Sequence, residues 1–161
     1  METKGLVTRI HLTTAIEAPL EACFDVCLNV DIQLSLDRGM RAVDGVESGP
    51  LRLGDTVTWR ARHFGVAWRM TSEIIKVDRP HSFTDQMRRG PFADWRHTHT
   101  FQSTETGTRM LDDVEYHAPL GPLGRLFDAA ILERYLIGLL RSRNRALKGA
   151  AKRAVAPSPS S

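Results

Sequence analysis

The stretch "FADWRHTHTF", residues 92–101, decides how the chain is read. Trp95, His97, His99 and Phe101 recur at every second position. In a β-strand such residues share one face, and a face carrying two large aromatic rings belongs inside. The reading therefore predicts two imidazoles side by side in the interior.

Downstream, "TETG" (104–107) reads as a turn and "TRMLDDVEYHAP" (108–119) as a second strand, with Met110, Asp112, Val114 and Tyr116 inward. That turn sets a register in which Phe101 opposes Met110, His99 opposes Asp112, His97 opposes Val114 and Trp95 opposes Tyr116. Upstream, "HSFTDQMRRGPF" (81–92) reads as a strand ending at Gly90-Pro91. It brings Asp85 near His97 and Phe83 near His99. Directly opposed side chains have Cβ atoms about 5 Å apart, within reach of a hydrogen bond.

The rest of the chain frames these strands. A first strand is expected over Leu6–Ile16, rich in β-branched residues. Pro19 suits a helix start, and Leu20, Cys23, Phe24, Cys27 and Leu28 follow at helical spacing. Asn29 and Asp31 are expected to break that helix, with a short second helical turn reaching about Leu36. "GMRAVDGVESGP" (39–50) reads as a strand with a loose hairpin, and residues 55–77 as two strands joined near Phe64-Gly65. Period two sends Val57, Trp59, Ala61 and His63 inward, then Val66, Trp68, Met70, Ser72 and Ile74. Thr56, Thr58, Arg60 and Arg62 take the solvent face.

Pro119 and Pro122 end the last strand. A helix is expected from Leu123 to about Lys152, with Leu126, Phe127, Ala130, Ile131, Leu136, Leu139 and Leu140 as its apolar stripe. "APSPSS" (156–161) has the composition of a disordered tail. The order is strand, two helices, six strands, long helix, an α+β class. A helix of about 30 residues is roughly 45 Å long. It can close the concave face of a curved antiparallel sheet and leave room beneath. A flat two-layer sandwich with a solid core is the rival architecture.

At 161 residues the chain fits one domain, residues 1–152, with 153–161 as the tail. No run approaches 18 consecutive apolar residues, so no transmembrane segment is expected. The opening residues lack a signal-peptide pattern, and a cytoplasmic location is the expectation. Cys23 and Cys27 fall on one helical face as small buried residues, which argues against a disulfide or a cysteine-bound metal. The net charge of +3 hides an asymmetry. Seven of the 22 Lys and Arg lie from Arg134 onward, where Asp and Glu are absent, so residues 1–133 balance at −4. Basic residues at a helix C-terminus oppose the negative end of its dipole. No interleaved aromatics or nucleic-acid motif accompany them, so nucleic acid is not an expected partner.

Three segments carry a family resemblance: "IEAPLEACFDVCLNVD" (16–31), "RPHSFTDQMRRGPFADWRHTHTF" (79–101) and "DDVEYHAPLGPLGRLFD" (112–128). Over about residues 5–150 the chain resembles the START-like (SRPBCC) superfamily, in its polyketide cyclase/dehydrase-like branch. The middle segment is similar to small bacterial members, and in layout to coenzyme Q-binding and cell-division-inhibitor-like relatives. The resemblance implies a helix-grip fold, a curved seven-stranded antiparallel sheet around a long C-terminal helix. It also implies a hydrophobic-ligand cavity between sheet and helix, without fixing the ligand or a catalytic motif.

Burying a lone charge costs several kcal/mol or shifts its pKa. An Asp–His pair lowers that cost, yet apolar residues would often be as stable. Asp85, His97, His99 and Asp112 therefore point to water or ligand in the interior. Binding of a hydrophobic small molecule, whether lipid, polyketide or aromatic, ranks first. Trp59, Trp68, Met70, Trp95, Phe101 and Tyr116 would hold its body, and the histidines and aspartates its polar end. The alternative is a cyclase/dehydratase-type enzyme using His97 or His99 with Asp85 or Asp112 as an acid–base pair. A metal held by His-x-His and the two carboxylates ranks third, and a purely structural polar network completes the set. Neither metal nor cofactor is expected, and a homodimer is left open. His11, His63, His81 and His117 read as surface or strand-end residues. Arg88, Arg89 and Arg96 read as a solvated edge.

Overall fold

Alternating and β-branched segments pair into one antiparallel sheet, as the turn chemistry directs. The computed structural model describes residues 7–118, 123, 126 and 131–156. The strands are β1 (Thr8–Ile16), β2 (Arg41–Gly45), β3 (Thr56–His63), β4 (Val66–Asp78), β5 (Ser82–Arg89), β6 (Asp94–Thr104) and β7 (Gly107–His117). The helices are α1 (Leu20–Cys27), α2 (Val30–Leu36) and α3 (Glu133–Ala154). The seven strands run in the order β1-β7-β6-β5-β4-β3-β2. Each connection from β2 onward is to a neighbour, and only β1 crosses over to pair with β7.

The expected register between β6 and β7 is present: His99 pairs with Asp112, His97 with Val114, Trp95 with Tyr116 and Phe101 with Met110. Asp85 pairs with His97 and Phe83 with His99. The β3–β4 hairpin turns on Phe64 (φ 52°) and Gly65 (φ 74°), the left-handed pair that a two-residue hairpin favours.

Three expectations need correction. Asp31 does not break a helix. It lies in the first turn of α2, where a carboxylate suits the positive helix end, and its Oδ2 accepts from the Gly49 amide at 2.8 Å. Asn29 does end α1, and its Oδ1 caps α2 by accepting from Ile32 N at 3.2 Å. Thr58 points away from the helix yet is buried, because its hydroxyl pairs across the strands with Thr71 at 2.9 Å. The stripe of α3 is also rotated. Leu132 just before it, then Leu136, Leu140, Asn144, Leu147 and Ala151, are buried, whereas Leu126, Ile131 and Leu139 are exposed. The helical arc centres on the line through Leu136 and Leu140, and Leu139 falls to its edge. Phe127 and Ala130 lie outside the described residues.

α3 packs on β1, α1 and α2. At its first turn the Tyr135 hydroxyl meets His63 Nδ1 at 2.9 Å, and the Tyr135 ring lies 4.4 Å from that of Phe64. The long helix thus rests on one edge of the sheet and touches the β3–β4 hairpin tip at the other. The interior divides in two. One apolar cluster joins α1 and α2 to Val57, Ile74, Phe83, Phe101 and Met110. The other joins Leu132, Leu136 and Leu140 to Ile10, Trp95, Val114 and Tyr116.

Candidate polar site between the two apolar clusters

Along β6 the inward positions read Trp95, His97, His99, Phe101, and along β7 Met110, Asp112, Val114, Tyr116. The middle of each run is polar, and its ends belong to opposite apolar clusters. The polar residues therefore form a band across the interior. Its anchor is Asp112, with no solvent exposure. His97 Nε2 lies 2.8 Å from Asp112 Oδ1, and His99 Nδ1 lies 3.1 Å from the same oxygen. The second contact is an ion-pair distance without hydrogen-bond alignment, so His99 Nδ1 has no hydrogen-bond partner. The other carboxylate oxygen, Oδ2, accepts from Asn144 Nδ2 of α3 at 2.7 Å. Asp85, on β5, faces His99 Nε2 at 3.8 Å.

The rings order one another. His97 and His99 have centroids 3.8 Å apart, and Phe83 stacks on His99 at 4.3 Å. Trp95 meets His97 edge-on at 6.4 Å. These contacts pack both imidazoles into one row of rings with Phe83 and Trp95.

Burial pushes the Asp112 carboxyl up, but the hydrogen bond from His97 and the adjoining His99 ring outweigh it and hold the acid well below the carboxylate range. Asp85 behaves alike: burial raises it, and the two imidazoles with Arg143 bring it below its ordinary value. Burial and the neighbouring His99 lower His97. His99 is pulled down by burial but raised overall by Asp112 and Asp85 on either side.

Of the residues expected at this site, Asp85, His97, His99 and Asp112 come together, flanked by Trp95 and Tyr116 on one side and Phe101 on the other. Trp59 and Met70 are half-buried against the first and second clusters. Trp68 stands apart. It is 38% exposed near the hairpin tip, where its indole N–H donates to the His63 carbonyl at 3.1 Å. Burial does not alternate at this end of β4, where Val66 to Arg69 are all exposed, so the inward placing of Val66 and Trp68 is corrected here. His63 is more than a surface residue, since it bonds Tyr135.

Two participants carried no obvious mark in the sequence. Asn144 sits four residues after Leu140 on the buried line of α3, so extending that stripe would have found it. Gln33 of α2 is buried; its amide donates to the Cys27 carbonyl at 3.0 Å and its oxygen accepts from Arg143 Nε at 3.1 Å. It ties both short helices to α3. The surface grooves beside β1, of about 430 and 500 Å³, are lined by residues such as Lys148, Arg109 and Arg141; the larger reaches Asn144, and neither is lined by the two histidines or Asp85.

The family model described as "Polyketide cyclase / dehydrase and lipid transport" matches residues 7–152. The chain belongs to this family. That family match places it in the START-like (SRPBCC) superfamily, and the helix-grip architecture agrees. Among solved structures, this member of the polyketide cyclase/dehydrase and lipid-transport family is similar to a Thermus thermophilus protein at TM-score 0.74 and 16% identity, covering 94% of this chain and 100% of that one. A norcoclaurine synthase point mutant from Thalictrum flavum, complexed with a transition-state analogue, aligns at TM-score 0.72 and 15% identity, over 96% and 100%. Major latex-like protein 151 from Panax ginseng aligns at TM-score 0.63 and 15% identity, over 90% and 97%. Identities this low establish the common fold alone. No curated protein sequence matches the chain. Among the described residues no helix is long and apolar enough to cross a membrane.

Proposed function

We propose that the protein binds an apolar or aromatic small molecule bearing a polar group, between the concave sheet face and α3. The observation that carries this is the band itself: buried His97, His99, Asp112 and Asn144, with Asp85 beside them, between two apolar clusters. A fold selected for stability alone does better with apolar residues here, because desolvating such groups costs several kcal/mol and pairing rarely returns a surplus. A ligand with an apolar body and a polar end gives both parts of the interior a use. Trp59, Met70 and Met87 remain half-buried on β3, β4 and β5 and would flank the body, with Trp95, Phe101 and Tyr116 deeper. Trp68 is left at the rim. The family description, which includes lipid transport, agrees with an apolar ligand.

The test is displacement of an apolar fluorescent probe, together with native mass spectrometry of protein purified without added ligand. A single saturable site, blocked by Met70→Trp in a folded variant, is expected. Probe binding that survives Met70→Trp and Trp59→Ala unchanged would place the ligand elsewhere and end the proposal.

One contact favours a second reading, a cyclase or dehydratase. The 2.8 Å bond between His97 Nε2 and Asp112 orients an imidazole whose other nitrogen is left to exchange a proton with substrate. In that case His97→Gln abolishes turnover of a polyketide-like substrate while probe affinity persists. Equal losses of both would dismiss catalysis.

A further inference from the structure

We infer that Asp85, His97 and His99 form a binding site for one divalent first-row transition-metal ion. Each offers a ligand atom, and the three atoms lie within 4.8 Å of one another, in the interior and on adjacent strands. The 3.8 Å between His99 Nε2 and Asp85 Oδ2 is too long for a hydrogen bond. It is close to the separation of two ligand atoms across one ion, about 3.4 Å for tetrahedral bonds of about 2.0–2.1 Å. A contraction of a few tenths of an ångström brings that pair into coordination.

The outer groups match as well. Imidazoles that bind metals hand their other nitrogen to a carboxylate, which fixes the ring and makes the ligand more basic. Asp112 stands in that place for His97, whose Nε2 is 2.8 Å from Oδ1, and it lies 3.1 Å from His99 Nδ1 without hydrogen-bond alignment. Asn144 holds its second oxygen at 2.7 Å. His97 Nδ1 and His99 Nε2 are thereby left for an ion. Charge agrees too, since two carboxylates and two neutral imidazoles balance one divalent cation. Imidazole–carboxylate donor sets suit zinc and neighbouring first-row ions. Three protein ligands also leave a coordination position for water or a ligand's polar group. The site does not depend on the apolar-ligand proposal, because an ion can bind whether or not a guest is present.

The test uses full-length protein without an affinity tag, stripped by chelator, with Zn²⁺ and Co²⁺ alone as probes. Calorimetry should give one ion per chain, and Co²⁺ should show the visible absorption of a low-coordinate nitrogen–oxygen site. Asp85→Asn should weaken binding more than tenfold, and so should His99→Gln. Asp112→Asn should cost about 10–100-fold, as outer-shell changes do. His11→Gln and His63→Gln should leave affinity unchanged. Near-ultraviolet circular dichroism reports folding of each variant. If His99→Gln does not fold, Asp85→Asn decides alone, since Asp85 is half-buried and makes no short bond to the band. The inference is overturned if folded wild-type protein takes up no stoichiometric ion, or if Asp85→Asn binds as wild type does. An intact apolar-probe site alongside either result leaves the binding proposal standing.

Discussion

Single residues decide how tightly this interior closes. Gly107 begins β7 at φ 145°, and a Cβ there would sit 2.2 Å from the Ile16 carbonyl oxygen and 3.0 Å from Glu17 Cα. Both obstacles are backbone, and such a φ costs another residue about 1–3 kcal/mol. Gly107→Ala is expected to lose more than ~2 kcal/mol in urea unfolding, whereas Gly49→Ala, with open space around it, should lose only about 1 kcal/mol. Similar losses in both would refute the steric account. Among the described residues Asn144 is the amide donor to Asp112, so Asn144→Leu keeps the branched heavy-atom shape and removes the bond. A loss of about 1–3 kcal/mol is expected, the cost of an acceptor buried without its partner. Cys27 gives a pH signature, since burial pushes its thiol from 9.0 up to about 12. The folded state then favours the protonated thiol. Its contribution to stability is complete below about pH 9 and is lost as pH rises toward 12. Cys27→Ala should flatten that alkaline decline, and native Cys27 should resist alkylation at pH 8 until the protein is unfolded.

At the scale of elements, α3 is the least settled by its own sequence. Its solvent face carries Gly138, where a Cβ would meet nothing within 4 Å. Gly138→Ala should therefore stabilise the protein by about 0.5–1 kcal/mol through backbone entropy alone. A destabilised variant would show that Gly138 is needed for close approach. The strands were more legible than the helix because their evidence is local. Two-residue alternation and a tight turn together fix both face and register, and a one-residue slip would expose every core side chain. A helix's apolar arc is broad, and neighbouring leucines at 139 and 140 both fit it until a partner surface chooses between them. The choice lies with β1, α1 and α2, which α3 packs against. The reach from Tyr135 to His63 and Phe64 likewise belongs to the packed molecule.

For the whole molecule, the sheet order with β1 beside β7 gives the curved surface that α3 grips, and the family match agrees with it. Asp85, His97, His99 and Asp112 were legible because period two and the turn at residues 104–107 operate over short chain distances. Their pairing was not. Register placed His99 opposite Asp112 and Asp85 opposite His97, yet the shortest bond runs diagonally, from His97 to Asp112 at 2.8 Å. Side-chain rotamers and the Asn144 amide set that diagonal, and neither is encoded in strand spacing. The amino-acid order alone thus determined the strands, their faces and the presence of polar groups in an apolar wall, because these follow from neighbours within a few residues. Tertiary packing decided which carboxylate bonds His97, which line of α3 is buried and which tryptophan is left at the rim, because each depends on surfaces that meet only when distant segments close on one another.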